Sequence, residues 1–429
     1  MSNIEKNSLL SLIEKNKTIS LYIHIPFCST KCDYCAFYSE ERSHWDKDGI
    51  VDRYLDRLKK ELRAVKEACK SRAFESVFIG GGNPGSLGAQ KLRDLLIEIG
   101  PSKETTFEIN PESFISEFPL YRSIFVDGLA TRLSMGIQSM DAHTLKILNR
   151  NATKMDNFKA LGFARTLTQL KIDRDDNYFL INNLYSEDEV PHTKKIEISL
   201  DLMTCLPSQT LAMATSDINY VTRVADPNHI SLYCLTVEEG TRLKERVGMG
   251  DVKVMNEDEQ MEHLDALWAY LKEKGYDHYE VSNFCKNNKE CYHNNRYWSL
   301  SSYIGLGTHA ASTLFDDNNQ LVRLNNTSDF TEYVSSKEFS DYEEERIEEN
   351  IQLDEYLLVA LRTKKGLDKN ILKNKYHISD ANLAKSLLSI GKDCFLEEEK
   401  HVFLNEKGFM LLDSIVLSLS MSFDRLRGV

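Results

Sequence analysis

No run of apolar residues in this 429-residue chain approaches the roughly 18 to 20 that a membrane-crossing helix needs, and the opening segment MSNIEKNSLLSLIEKNK lacks the apolar centre of a secretory signal. A cytoplasmic protein with no transmembrane segment is expected. Positive charge is also in short supply. Lys and Arg number 53 against 66 Asp and Glu, a formal net charge of -13, which argues against a broad grip on nucleic acid or on an anionic membrane. A disulfide framework is missing too: of nine cysteines, three are clustered and six scattered, a usage that fits free thiols and a metal site in a reducing compartment. There is no internal repeat and no low-complexity tract. What is present, 41% hydrophobic and 28% charged residues, suits a folded, enzyme-sized protein, and the length predicts a large domain with at least one smaller one.

Short β-branched or aromatic runs alternate with longer stretches of helical periodicity, which predicts a parallel sheet covered by helices, the α/β class. Six such units can be counted, with strands at Ile19 to Ile25, Ser76 to Gly80, Thr105 to Asn110, Arg132 to Gln138, Ile196 to Met203 and His229 to Val237. Helices are expected over Gln90 to Ile99, striped by Leu92, Leu95, Leu96 and Ile99, and over Glu257 to Lys274, striped by Met261, Leu264, Leu267 and Leu271. Between Arg150 and Ile196 a long, polar, poorly periodic stretch reads as an insertion. The acidic run DYEEERIEEN from Asp341 to Asn350 suggests a domain boundary. Beyond it the pattern helix, helix, hairpin (CFLEEEKHVFLN) and an apolar helix from Phe409 to Leu419 predicts a small winged-helix-like α+β domain.

The segment YIHIPFCSTKCDYCAF sets Cys28, Cys32 and Cys35 in the loop after the first expected strand. Thiolates suit zinc or iron-sulfur clusters, and zinc would want a fourth nearby Cys or His, which the loop lacks. Three cysteines on a 4Fe-4S cubane leave one iron open to chelate the amino and carboxylate groups of a small molecule. S-adenosylmethionine supplies both, and one electron from the cluster cleaves its sulfonium to give a 5′-deoxyadenosyl radical. Gly80, Gly81 and Gly82 end the second strand and would let backbone groups approach a ligand closely, or simply form a tight turn. Glu108, Gln138, Asp201 and the stretch Tyr233 to Leu235 fall at the carboxyl ends of later strands, the edge at which parallel α/β sheets bind ligands. A second constellation, from Gly275 to Ser312, gathers His278, His293, His309, Cys285 and Cys291 among aromatics. It reads either as haem ligands with aromatic walls or as a buried aromatic cluster with hydrogen-bonded histidines. Cys69, Cys205, Cys234 and Cys394 read as packing thiols.

From Leu21 to the C-terminus these motifs, with EINPES, RLSMGIQS, DLMTCLPSQT, HISLYCLTVEEGTRL, HYEVSNF and HNNRYW in order, resemble the radical-SAM family of oxygen-independent coproporphyrinogen III oxidase and the haem chaperone HemW. The resemblance implies a partial six-unit (β/α) barrel with a winged-helix-like C-terminal domain. The divisions would be an N-terminal segment 1–18, a radical-SAM core 19–245, an extension 246–335 carrying HNNRYW, and a C-terminal domain 345–429. It further implies that Cys28, Cys32 and Cys35 ligate the cluster, that Tyr22 and Tyr34 flank S-adenosylmethionine, and that Gly81, Gly82, Asn83, Glu108, Gln138, Arg150, Asp201 and Cys234 contact it. His24 is the residue placed for proton or hydrogen-bond chemistry beside the cluster. Phe37 stands where the oxidase carries a fourth cysteine, and His293, Asn294, Tyr297 and Trp298 form the HNxxYW motif of the chaperones. The implied activity is therefore haem binding, through His293 with Cys291 as a second contact, and delivery to acceptor haem proteins. A flavodoxin- or ferredoxin-type electron donor would serve the cluster. Oxidative decarboxylation of coproporphyrinogen III and radical-SAM methyl transfer remain the alternatives. Three features depart from the family pattern: Asn83 for Thr, Cys205 for Gly, and the long stretch before Ile196.

Overall fold

The computed structural model describes residues 3–47, 49–170, 196–336 and 342–427. The polar stretch 171–195, which the sequence marks as an insertion, lies outside them. Six parallel strands carry the architecture: β1 (Ser20–Ile25), β2 (Phe74–Gly81), β3 (Ser102–Ile109), β4 (Arg132–Gln138), β5 (Glu197–Thr204) and β6 (His229–Cys234), adjacent in that order. Leu21, Ile23, Ile25, Val77, Ile79, Phe107, Leu133, Met135, Ile198 and Leu200 are buried along them, as expected of strands covered on both faces. Helix Ile50–Ala68 turns Tyr54, Leu55, Leu58, Leu62 and Val65 inward. Helix Ala89–Ile99 buries the stripe Leu92, Leu95, Leu96 and Ile99. Along Glu257–Glu273, Leu267 and Leu271 are buried together with Trp268, whereas Met261, expected on the buried stripe, is 40% exposed.

The sheet then grows at both flanks. β7 (Asp277–Glu280) and β8 (Asn283–Cys285) extend it antiparallel beyond β6, and β9 (Tyr303–Leu306) pairs parallel with β1 on the other side. β10 (Ala311–Phe315), β11 (Leu321–Asn326) and β12 (Tyr342–Arg346) follow, giving twelve strands among the described residues. β12 falls within the acidic run. It is an edge strand with Glu343, Glu344 and Glu345 exposed, and charge on an edge discourages pairing with another chain. The segment after Arg150 needs correction in part. Lys154–Leu167 is a helix whose N-terminus is closed by Thr153 and Asp156, each side chain bonding the other's backbone.

At the C-terminal end come helix Glu349–Leu361, β13 (Leu367–Asp368), helices Lys369–Asn374 and Asp380–Ile390, then β14 (Phe395–Glu397) and β15 (His401–Leu404), the three strands forming a small sheet. The expected apolar helix is broken at Leu411: Glu406–Met410 is a short helix of its own, and Leu412–Arg427 runs on, packed on Glu349–Leu361 and Asp380–Ile390. Its Ile415, Leu419 and Phe423 join an apolar core continuous with that of the large sheet. Among the described residues no helix is long and apolar enough to cross a membrane.

Candidate functional site

The loop after β1 is built to stay where it is. The Cys28 carbonyl accepts from the Trp45 indole at 3.0 Å, the Lys31 carbonyl accepts from Asn149 at 3.1 Å, and Asp33 pairs with Arg246 at 2.7 Å. Cys28, Cys32 and Cys35 are all partly exposed free thiols on this loop. Burial pushes the Cys28 thiol up to about 12 and raises that of Cys35, so both hold their protons near neutral pH, and a metal bound there would have to displace them. Among the described residues no three His, Cys, Asp or Glu side chains converge as a single metal ion would require. The thiolates of a cubane bind different irons and need no such convergence.

The glycines of β2 fill a space that no side chain could share. A Cβ on Gly81, whose φ is +111°, would stand 2.6 Å from His24 Cε1; one on Gly82 would stand 3.0 Å from Cys28 Sγ; one on Gly80 would stand 2.9 Å from Glu108 Oε2. The backbone therefore lies against the cysteine loop, where Gly82 N–H donates to the Ile25 carbonyl at 2.8 Å and Asn83 N–H to the Phe27 carbonyl at 2.9 Å. Gly81 N–H donates to Glu108 at 3.3 Å. Burial, then the nearby Asp201, raises the Glu108 carboxyl to about 8, and burial raises Asp201 to about 6 although Ser134 donates to it at 3.3 Å. Two buried carboxylates this reluctant to ionise call for a cationic partner. Arg150 donates to Asn110 at 3.1 Å, to the Gly136 carbonyl at 2.7 Å and to Cys32 Sγ at 3.4 Å, while its buried Nε carries no hydrogen bond. Thiol, arginine and paired carboxyls at the carboxyl ends of β1 to β5 thus fit a cluster and a ligand bearing both ammonium and carboxylate.

Other expected contacts fall differently. His24 is buried, with Nε2 donating to the Tyr38 carbonyl at 3.2 Å and Nδ1 accepting from the Tyr22 hydroxyl at 2.9 Å. Burial lowers its pKa to about 4, so the imidazole is neutral near pH 7. Asn83, expected to contact the cofactor, turns inward: its Oδ1 accepts from Gly85 and Asn110 N–H, and its Nδ2 donates to Ser113 at 3.0 Å. Gln138 ends β4 in the left-handed region, φ +64°, at a register shift against β5. Cys205 is left-handed as well, φ +60°, which explains why the pattern expects glycine there. Its thiol packs beside Cys234 on the neighbouring strand end. Tyr34 is held beside Arg150 and Cys32. Asn110, unnoticed in the sequence, holds Arg150; it sits in EINPES, two residues after Glu108.

HNNRYW does not join this site. Helix Tyr292–Trp298 packs against β2, and its bonds reach the amino-terminal ends of the strands. His293 is fully buried: Nδ1 bonds Ser76 at 2.8 Å, Nε2 bonds Tyr297 at 2.8 Å, and its N–H donates to Glu104 at 3.0 Å. Since Ser76 donates its own proton to Ser20, it accepts from Nδ1, which leaves Nε2 as the acceptor of the Tyr297 hydroxyl. Burial lowers the imidazole to about 3. Cys291 is buried with its thiol on Glu104 at 3.5 Å, and Glu104 pairs with buried Arg132 at 2.9 Å. His278 is equally committed, bonding Glu406 at 2.8 Å and the Val281 carbonyl at 3.1 Å. Iron could reach none of these without displacing a partner.

A parallel six-strand run with three cysteines after β1, a glycine cradle after β2 and buried carboxyls after β3 and β5 defines a radical-SAM protein. The model of the Radical SAM superfamily matches residues 22–180. The chain is 30% identical over 326 residues to heme chaperone HemW of Buchnera aphidicola subsp. Schizaphis graminum, covering 74% of this chain and 76% of that one. With heme chaperone HemW of Bacillus subtilis it shares 27% identity over 401 residues, 91% of this chain and 96% of the relative. Coproporphyrinogen III oxidase (HemN) from Escherichia coli, a radical SAM enzyme, superposes with a TM-score of 0.74 at 18% identity, covering 96% of this chain and 93% of that one. The chain belongs to the HemW family.

Proposed function

We propose that this protein binds haem and passes it to acceptor haem proteins, and that Cys28, Cys32 and Cys35 hold a 4Fe-4S cluster with S-adenosylmethionine on its open iron. The observation that carries the reading is the match to relatives named heme chaperones along 91% of the chain, joined to Phe37 at the position where a decarboxylase of this fold has its fourth cysteine. Phe37 is 73% exposed, an aromatic offered to solvent rather than to the core. When bound, the cluster would supply the electron that cleaves the sulfonium of the cofactor, drawn from a flavodoxin- or ferredoxin-type donor. The chain's own residues have the binding work. Glu108 and the Gly81 backbone suit the ammonium group, Arg150 suits an anionic or carbonyl oxygen, and Asp201 suits a ribose hydroxyl.

The test is anaerobic reconstitution followed by titration with haemin. A saturable Soret shift, and its transfer to an apo haem protein on mixing, is the expected result. Conversion of coproporphyrinogen to protoporphyrinogen, with no haem uptake, would assign the chain to the decarboxylase class instead.

A further inference from the structure

With haem as the cargo, the residue that takes its iron needs a ring nitrogen free at the surface, and the histidines of the aromatic stretch differ sharply in this respect. His278 and His293 have both nitrogens engaged and no exposure. His309, the third of that stretch, is exposed. It lies just beyond β9, which runs parallel to β1 with Leu306 opposite Ile23, so the turn 307–309 emerges at the same edge as the cysteine loop. Its ring stacks on Tyr38 of that loop, centroids 3.6 Å apart and planes 20° apart. One ring nitrogen meets the Ser328 carbonyl. Among the described residues the other carries no hydrogen bond.

We propose that His309 is the axial ligand through which this protein takes the iron of haem, presented at the mouth of the sheet beside the cysteine loop. Resting on the haem-carrier reading, the inference moves the ligand from the HNNRYW helix to the opposite edge of the molecule. Three features prepare His309 for this. A metal-binding imidazole commonly gives its second N–H to a carbonyl, which fixes its tautomer and orientation, and Ser328 is so placed. The turn is locked from beneath: Gly307 N–H donates to the buried Glu61 carboxylate at 3.1 Å, Thr308 donates to the Thr327 carbonyl at 2.9 Å, and His309 N–H donates to the same carbonyl at 3.0 Å. Finally, His309 holds a left-handed backbone, φ +59°, a region in which histidine, like Asn and Asp, is enriched, and in that conformation its ring lies over Tyr38. Phe37, 73% exposed, is the chain neighbour of Tyr38, an aromatic of the kind that could pack on a porphyrin. His44 is the nearby rival, exposed and bonded to Glu40 at 3.2 Å, but it lacks the stacked support.

The experiment titrates haemin into the full-length wild type and into His309→Gly, His44→Ala and His293→Ala, following Soret position, affinity and the ferric EPR spectrum. Glycine accepts φ +59° without strain, so His309→Gly should fold as the wild type does, which circular dichroism and iron loading of the cysteines will show. It is expected to lose the wild-type Soret position and to bind at least tenfold more weakly. Millimolar imidazole, filling the space left on Tyr38, should restore the spectrum. His44→Ala and the folded fraction of His293→Ala should keep the wild-type bands. A wild-type spectrum and affinity in His309→Gly, or loss of the bands in either other variant with His309→Gly unaffected, overturns the assignment. Failure of the wild type itself to bind haemin rejects the carrier reading and this inference with it.

Discussion

Glu108 shows how a single buried carboxyl ties stability to cofactor. Its folded pKa of about 8 stands above the ordinary 4.5, so between those values the folded protein holds a proton that the unfolded chain has lost. Stability of the cofactor-free protein must then fall as pH rises through that window, and Asp201, raised from 3.8 to about 6, adds a similar fall that is complete sooner. Urea midpoints measured from pH 4 to 9 should decline for the wild type, and Glu108→Gln should flatten the part above pH 6. Parallel curves for the two proteins would mean the carboxyl is not desolvated as described. In the cofactor-loaded protein the same substitution should weaken S-adenosylmethionine binding roughly 10- to 100-fold, the worth of one charge-assisted hydrogen bond, as read by equilibrium dialysis. Cys205 offers a different residue-scale test. At φ +60° its left-handed backbone costs an L residue about 1 kcal/mol. Cys205→Ala loses the thiol's packing and keeps that cost, whereas Cys205→Gly loses the packing and removes it. Gly should therefore equal or exceed Ala in thermal midpoint, the reverse of their usual order. A clearly less stable Gly variant would contradict the argument.

Among the elements, the helix Tyr292–Trp298 marks where reading the sequence stops being enough. The six core strands could be placed because their apolar runs and their motifs coincide: IGGG, EINPES and GIQS each sit where a strand runs out, so a convergent carboxyl edge followed directly. The same reasoning could not orient HNNRYW. Its histidine bonds Ser76, which is 217 residues away, and its backbone bonds Glu104, 189 residues away. No local pattern announces such partners, and a histidine destined for a buried network looks in sequence like one destined for iron. The side chain of Asn83 is likewise tied to partners distant in sequence, since its hydrogen bonds fasten the turn Pro84–Leu87 to Asn110 and Ser113. The helix's role in closing the amino-terminal end of the sheet has a measurable consequence. His293→Ala leaves Ser76 and Tyr297 hydroxyls without their partner in a buried site, and should cost roughly 2–4 kcal/mol, seen as an earlier urea midpoint. A stability within about 0.5 kcal/mol of the wild type would show that the network is dispensable.

At the scale of the whole molecule, the same sheet edge serves two tasks. The cysteine loop descends from β1, the turn bearing His309 descends from β9, and β1 and β9 are hydrogen-bonded neighbours. Tyr38 joins them directly: its ring lies on His309, its carbonyl receives His24, and its hydroxyl donates to Glu40. Loading the cysteines would brace the already anchored residues 28 to 35 further and, through them, the platform on which His309 rests, so that haem binding would have less residual motion to still. Haemin should accordingly bind the cluster-loaded protein more tightly than the cluster-free protein, by about tenfold, or about 1.4 kcal/mol. Linkage requires the reverse as well: bound haem must stabilise the loaded loop by the same factor, so that at equilibrium with an iron chelator a larger fraction of cluster survives when haem is present. Equal haemin affinities in the two forms would separate the tasks and reduce the shared edge to a matter of folding. A tenfold difference that persists in Phe37→Ala and vanishes when Tyr38 is replaced by Ala would locate the coupling in the stacked pair, and would give the cluster a part in haem handling that needs no cleavage of its cofactor.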